Sequence, residues 1–125
     1  MIHALKTVLI VEDEIIISIL IEKLVQKLGF NVIGKVENGE DAIDAALRLS
    51  PDIILMDIQL AGEMDGIQAT EKIKESIRAS VIFVTGNSDM GTRNRAMKTN
   101  PEAFLIKPVD MITLKKHLDL AVGSI

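Results

Sequence analysis

Two short runs of branched apolar residues each stop at acid, and this pairing constrains the chain more than any other feature. Val8-Leu9-Ile10-Val11 runs into Glu12-Asp13-Glu14, and Ile53-Ile54-Leu55-Met56 runs into Asp57. Apolar runs this short, bounded by turn residues, read as strands buried on both faces. A carboxylate that follows such a strand is delivered to the rim of the sheet. Two strands ending in acid therefore raise the question of what a cluster of carboxylates on one rim is for.

The rest of the chain alternates in the same way. Strands are expected over 7–11, 30–36, 52–57, 80–85 and 103–106. Helices are expected over 14–28, 40–49, 66–77, 89–98 and 110–122. Gly29, Asn38-Gly39, Ser50-Pro51, Asn100-Pro101 and Lys107-Pro108 supply the breaks, and Ser88 is a candidate N-cap for the fourth helix. Five strands alternating with five helices imply crossover units and a parallel sheet, so the fold class is α/β. Open sheets of this kind collect ligands outside the carboxyl ends of their strands. Those ends carry Glu12 and Asp13, Asp57, Thr85 and Lys107.

Composition removes other classes. The chain has 125 residues, which fits one domain over 1–125 with no output domain appended. It has no cysteine, so no disulfide framework, thiolate metal site or cysteine nucleophile, which suits a cytoplasmic setting. A net charge of −4 without a basic block argues against nucleic acid as a direct partner. The longest nearly apolar stretch, Ile15 to Ile21, is too short to span a membrane.

In the first helix, Ile17, Leu20, Ile21, Leu24, Val25 and Leu28 share one broad face, expected to be the core face. Ile15 and Ile19 fall roughly opposite, beside Ser18, Glu22 and Gln26. They are either stray surface residues or a docking patch for a partner that must reach the rim. Glu63 and Asp65 read as loop solvation, His3 and His117 as surface residues, and Met56 and Met97 as packing.

Carboxylates crowded together oppose one another's ionisation, and a divalent cation relieves this. An all-oxygen, carboxylate-rich site suits Mg2+, which often completes its shell with a phosphate oxygen. With Lys107 as a compact cation and Thr85 as a hydroxyl, the rim is equipped to handle a phosphoryl group, and an aspartate is a competent nucleophile. Taken singly, each residue has an ordinary explanation: acid at a helix N-terminus, a turn aspartate, a loop threonine, a solvated lysine. Their convergence on one rim argues for the site.

The motifs Val11-Glu12-Asp13-Glu14, Leu55-Met56-Asp57-Ile58, Asp65-Gly66, Phe83-Val84-Thr85-Gly86 and Phe104-Leu105-Ile106-Lys107-Pro108 stand in a specific order and spacing. Together they make the chain resemble the receiver domain of two-component response regulators from about Thr7 to about Val122. That resemblance implies a flavodoxin-like doubly wound (βα)5 fold with a parallel five-stranded sheet in the order 2-1-3-4-5. It implies that Asp57 is the phosphoacceptor, taking its phosphoryl group from a histidine on a sensor kinase or a histidine phosphotransfer protein. It implies Mg2+ ligation by Glu12, Asp13, Asp57 and the backbone carbonyl of Gln59, with Glu12 acting through a metal-bound water. Lys107 and Thr85 would contact the phosphoryl oxygens, and Thr85 and Phe104 would form the switch. Gln59 and Asn87 would tune hydrolysis, Ile15 and Ile19 would dock the kinase, and the Lys107-Pro108 peptide would be cis. Output would pass through the face of the fourth helix, fifth strand and fifth helix, to an unidentified protein or to a second copy of the chain.

The chain departs from the family pattern at Glu12, where aspartate is commoner, and at Ala61, where proline is common. The loop Leu60-Ala-Gly-Glu-Met-Asp-Gly66 is one residue longer than usual, which resembles receivers that accompany sensor kinases. The alternatives are a receiver-like adaptor that is never phosphorylated and a dedicated enzyme. A haloacid-dehalogenase-type phosphatase needs a second aspartate two residues after the nucleophile, and Gln59 stands there. A dinucleotide enzyme needs a glycine-rich turn where Glu12-Asp13-Glu14 lies. The chain is therefore read as a phosphoacceptor, not a dedicated enzyme.

Overall fold

The computed structural model describes residues 6–123. Five strands, β1 (Thr7–Val11), β2 (Asn31–Val36), β3 (Ile53–Met56), β4 (Ser80–Thr85) and β5 (Ala103–Ile106), form one sheet in the order β2-β1-β3-β4-β5. Every strand pair is parallel. Parallel neighbours need crossovers, and the helices supply them: α1 (Ile15–Lys27), α2 (Gly39–Leu49), α3 (Gly66–Lys74), α4 (Met90–Met97) and α5 (Met111–Gly123). This is the expected flavodoxin-like order.

Register decides where the polar strand ends land. Val11 lies beside Met56, so Glu12 and Asp57 follow at the same level of adjacent strands. Thr85 lies beside Ile106, so Lys107 comes next to the end of β4, and its N–H donates to the Thr85 carbonyl at 2.8 Å. One register slip would turn every side chain to the other face. The fully apolar strands forbid such a slip only weakly by pattern, so cross-links at the opposite end help. The Thr7 N–H donates to Asp52 Oδ2 at 2.9 Å, and the Asp52 N–H donates to Thr7 Oγ1 at 3.0 Å.

Alternate strand residues divide the core in two. Leu9, Val11, Ile54, Met56, Val81, Phe83 and Phe104 point to the α2, α3 and α4 side, where Ala42, Ala46, Ile67 and Ile73 meet them. Val8, Ile10, Ile53, Leu55, Ile82 and Val84 point to the α1 and α5 side, against Ile21, Val25, Leu114 and Leu118. Fully burying one Leu, Ile or Phe side chain is worth about 1.5–3 kcal/mol. No helix among the described residues is long and apolar enough to cross a membrane.

Helix ends follow local chemistry, with some departures from expectation. Gly29 takes φ +91, and the Gly29 and Phe30 N–H groups close the end of α1 by donating to Gln26 and Val25 carbonyls. Ser50 and Asn100 adopt left-handed φ of 47 and 58, each just before a proline that cannot continue the helix. α3 stops at Lys74, short of Ile77, and α1 begins at Ile15 with Glu14 as its N-cap. The N-cap of α4 is Asp89, not Ser88, because its side chain accepts from the Thr92 N–H. Asp65 is no mere solvated loop residue: with Gln68 it forms a capping box for α3, and it pairs with Arg95 at 3.0 Å.

The amphipathic reading of α1 needs one correction. Leu20 is 56% exposed, while Ser18 is buried, so the buried face is rotated from the expected one towards Ser18, Ile21 and Val25. Met97 is also largely exposed. His117 is half-buried and its Nδ1 is enclosed without a hydrogen-bond partner, which differs from a surface residue. His3 lies outside the described residues.

Candidate functional site

The ends of β1, β3 and β5 bring four predicted residues into contact. One carboxylate oxygen from each of Glu12, Asp13 and Asp57 lies within 4.8 Å of the others. Lys107 reaches across from the loop after β5. Its Nζ donates to Asp57 Oδ2 at 2.9 Å and lies 2.6 Å from Glu12 Oε1. The Lys107-Pro108 peptide is cis, as expected. Glu12 and Asp57 are buried, Asp13 is half-buried, and only 15% of the Lys107 side chain is exposed.

The electrostatics follow from the buried Glu12 and Asp57 carboxylates sharing one ammonium, with Asp13 alongside them. Burial holds the Glu12 carboxyl above its usual range and the charge of Asp57 adds to this, against the partial relief of Lys107 and the Glu14 N–H. Burial works against the charge of Lys107 as well, yet its hydrogen bonds and attraction to Glu12 and Asp57 outweigh it, and its pKa rises. Glu12 Oε2 accepts from the Glu14 N–H at 3.1 Å. Glu12 Oε1 is buried and lacks a partner of hydrogen-bond geometry, its contact with Lys107 being one of charge and distance. A buried, undirected carboxylate oxygen beside two more carboxylates is the donor set that a hard divalent cation favours.

Backbone packing fixes Asp57. The Asp57 N–H donates to the Val11 carbonyl at 3.0 Å, and the Gly66 N–H donates to the Ile58 carbonyl at 2.8 Å. A Cβ at Gly66 would stand 2.0 Å from the Asp57 carbonyl oxygen, so only glycine fits there. The Asp65-Gly66 motif in the sequence held this signal.

Thr85 is fully buried at the end of β4, and its Oγ1 accepts from the Asn87 N–H at 3.2 Å. Phe104 lies on the opposite face of the sheet from α1. Its ring centre is 6.4 Å from that of Phe83, and the Arg93 guanidinium sits over it at 5.1 Å. Gln59 is exposed on the loop after β3. Asn87 does not simply face the site: its Oδ1 accepts from the Asp89 N–H at 2.9 Å.

Ile15 and Ile19 are exposed on α1 near the rim, as expected, and Ile16 and Leu20 join them. Leu20 also lines an apolar cleft of about 550 Å³ between α1 and the start of α5, with Ile17, Leu24, Pro108, Val109 and Met111. Helical periodicity could not reveal Leu20 here, since an apolar residue in a helix is equally suited to a core and to a cleft.

The comparisons with known proteins agree with this geometry. The family described as the response regulator receiver domain matches residues 8–119. The chain is similar to the chemotaxis protein CheY of Thermotoga maritima, 33% identical over 104 residues, covering 82% of this chain and 86% of that protein. It is 29% identical over 118 residues to the transcriptional regulatory protein PdtaR of Mycobacterium tuberculosis, and it spans only 57% of the length of that relative. Among solved structures, the signal receiver domain of a modulated diguanylate cyclase from Desulfovibrio desulfuricans G20 superposes with a TM-score of 0.91 at 36% identity, covering 97% of this chain and 96% of that one. The receiver domain of the sensor histidine kinase PA1611 from Pseudomonas aeruginosa PAO1, which carries magnesium in its active-site cleft, gives a TM-score of 0.86 at 31% identity, covering 96% of this chain and 99% of that one. With its fold, its acidic rim and these matches, the chain belongs to the response regulator receiver domain family of two-component systems.

Proposed function

We propose that the chain is a phosphorylatable switch whose acceptor is Asp57. The observation that carries this reading is the meeting of the Glu12, Asp13 and Asp57 carboxylates, two of which pair with the Lys107 ammonium. An Asp57 carboxylate oxygen attacks the phosphorus of a phosphohistidine on a sensor kinase or a histidine phosphotransfer protein. A P–O bond forms, the P–N bond breaks, and the imidazole leaves with the electron pair and takes up a proton. Hydrolysis by water later returns the carboxylate and inorganic phosphate.

Each residue has a role set by its chemistry. Lys107 now occupies Asp57 Oδ2 and moves its hydrogen bonds to the equatorial phosphoryl oxygens. Thr85 donates its hydroxyl to another. Glu12, Asp13, Asp57 and the Gln59 carbonyl would hold Mg2+, which would neutralise the charge of carboxylates and phosphoryl oxygens alike. Phe104, already buried beside Phe83 rather than waiting to move inward, backs the end of β4, and the face of α4, β5 and α5 presents the result to a protein partner. Ile15 and Ile19 receive the phosphohistidine-bearing protein in the cytoplasm.

The test is intact-mass analysis after incubation with a small acyl phosphate and Mg2+. The wild type gains one phosphoryl group and Asp57→Asn gains none. Labelling that persists in Asp57→Asn moves the acceptor elsewhere. A wild type that never gains mass makes the chain a constitutive adaptor.

A further inference from the structure

The cleft between α1 and the start of α5 has a volume of about 550 Å³. Small-molecule pockets span about 300–1,000 Å³ and are mostly apolar, with a few polar groups that fix orientation. Leu20 and Leu24 of α1 face Pro108, Val109 and Met111 across this cleft. Ile15, Ile16 and Ile19 take no part in it, so it is distinct from the exposed patch at the start of α1.

The charge around the cleft is of one sign. Lys23, Lys27 and Lys107 line it, and no carboxylate among the described residues does. Lys107 is committed to Glu12 and Asp57. Lys23 and Lys27 are exposed, and no ion pair joins either to an acid among the described residues. The acid next to Lys23, Glu22, already pairs with Lys35 at 2.8 Å. Residues four apart share one side of a helix, and like charges at that spacing oppose each other. Lysine stems lie along apolar surface while their ammonium groups stay in water.

We infer that this cleft binds an amphipathic carboxylate with a straight aliphatic tail. The head pairs with Lys23 and Lys27, and the tail lies against Leu20, Leu24 and Val109. A cationic head would meet only ammonium groups, and an uncharged chain would leave the two lysines opposed. The inference does not depend on phosphoryl transfer to Asp57.

Amide chemical shifts of the full chain during titration with decanoate test it, with no phosphoryl donor present. The Leu20, Leu24, Val109 and Met111 amides shift saturably. Octanoate, two methylenes shorter, binds about fifteenfold more weakly, since each buried CH2 is worth about fourfold. Decylammonium, with the same tail and the opposite charge, binds at least tenfold more weakly than decanoate, and Lys23→Glu with Lys27→Glu reverses that order. Leu20→Gln, at an exposed position, weakens decanoate several-fold. Absence of saturable shifts in the cleft overturns the inference, as does equal binding of the two tail lengths or of the two head charges. Decanoate affinity that survives the double lysine variant also overturns it. Shifts at these amides with a phosphohistidine-bearing protein but not with decanoate make the cleft a protein groove, and the inference falls.

Discussion

Gly66→Ala tests how tightly the acceptor loop is held. A Cβ at this position stands 2.0 Å from the Asp57 carbonyl oxygen, 2.9 Å from its carbonyl carbon and 3.0 Å from the Ile58 Cα. Optimal separations between non-bonded heavy atoms are about 3.5–4.0 Å, so the closest contact must open by more than about 1 Å. All three neighbours are backbone and none can rotate away. The Gly66 N–H also holds the Ile58 carbonyl at 2.8 Å, so relieving the clash strains that bond. Overpacking of this kind costs about 3 kcal/mol, the upper part of its usual range. Gly66 opens α3, where alanine favours the helix by up to about 1 kcal/mol. The clash wins, leaving a net loss of about 2 kcal/mol and a Tm lower by roughly 8 °C. A shift of about 1 Å at Asp57 slows phosphoryl uptake by roughly a hundredfold. Urea unfolding measures the first and intact-mass kinetics with a small acyl phosphate the second. A variant within about 0.5 kcal/mol of the wild type, labelled at the same rate, refutes the argument.

Asp13→Ala should weaken Mg2+ binding by at least tenfold while Lys107 keeps its pairing with Asp57; calorimetric titration with an unchanged affinity would place the cation elsewhere. The backbone and hydroxyl of Thr92 hold the Asp89 carboxyl below the usual aspartate range, and those of Thr113 do the same for Asp110. Both folded-state values are depressed, so this stability is fully present above the unfolded value of about 3.9 and is lost as pH falls through the folded values. Asp89→Asn with Asp110→Asn keeps both caps but removes the titration, so its urea midpoint should fall less than that of the wild type between about pH 5 and about pH 3. An equal fall would assign the acid limb to other groups. Ile15→Asp or Ile19→Asp should slow transfer from the phosphohistidine partner and leave labelling by the small donor alone; equal effects on both donors would remove α1 from the docking surface.

The sequence was informative wherever one demand dominated. The all-apolar strands have to be buried on both faces, so their number, order along the chain and acidic ends could be read directly. Asp13, Asp57 and Lys107 follow because a strand delivers its next residue to the rim. The 2-1-3-4-5 order came from family likeness, since crossover units alone permit several orders. Leu20 misled because periodicity reports which side a residue occupies, not how far that side is covered. Asp65 was misjudged because a cap and a solvated carboxylate have the same composition and differ only in which N–H group they reach, and Ser88 was taken for the N-cap in place of its neighbour Asp89 because both side chains can accept from a helix N–H. Asn87 was legible as a residue near the site, but its side-chain bond to Asp89 depends on a loop geometry that no pattern encodes.

The sheet acts as a partition. Ile53 and Leu55 face one apolar layer and Ile54 and Met56 the other, so the helices on its two sides share almost no contacts of their own. What they share is the sheet itself, with Asp57 at the end of its central strand. On the proposed reading, a charge added to Asp57 would lie between both layers, the one with α1 and α5 and the one with α2, α3 and α4. Arrival at α1 and readout at α4 would then fall on opposite layers of the sheet, with α5 beside the first.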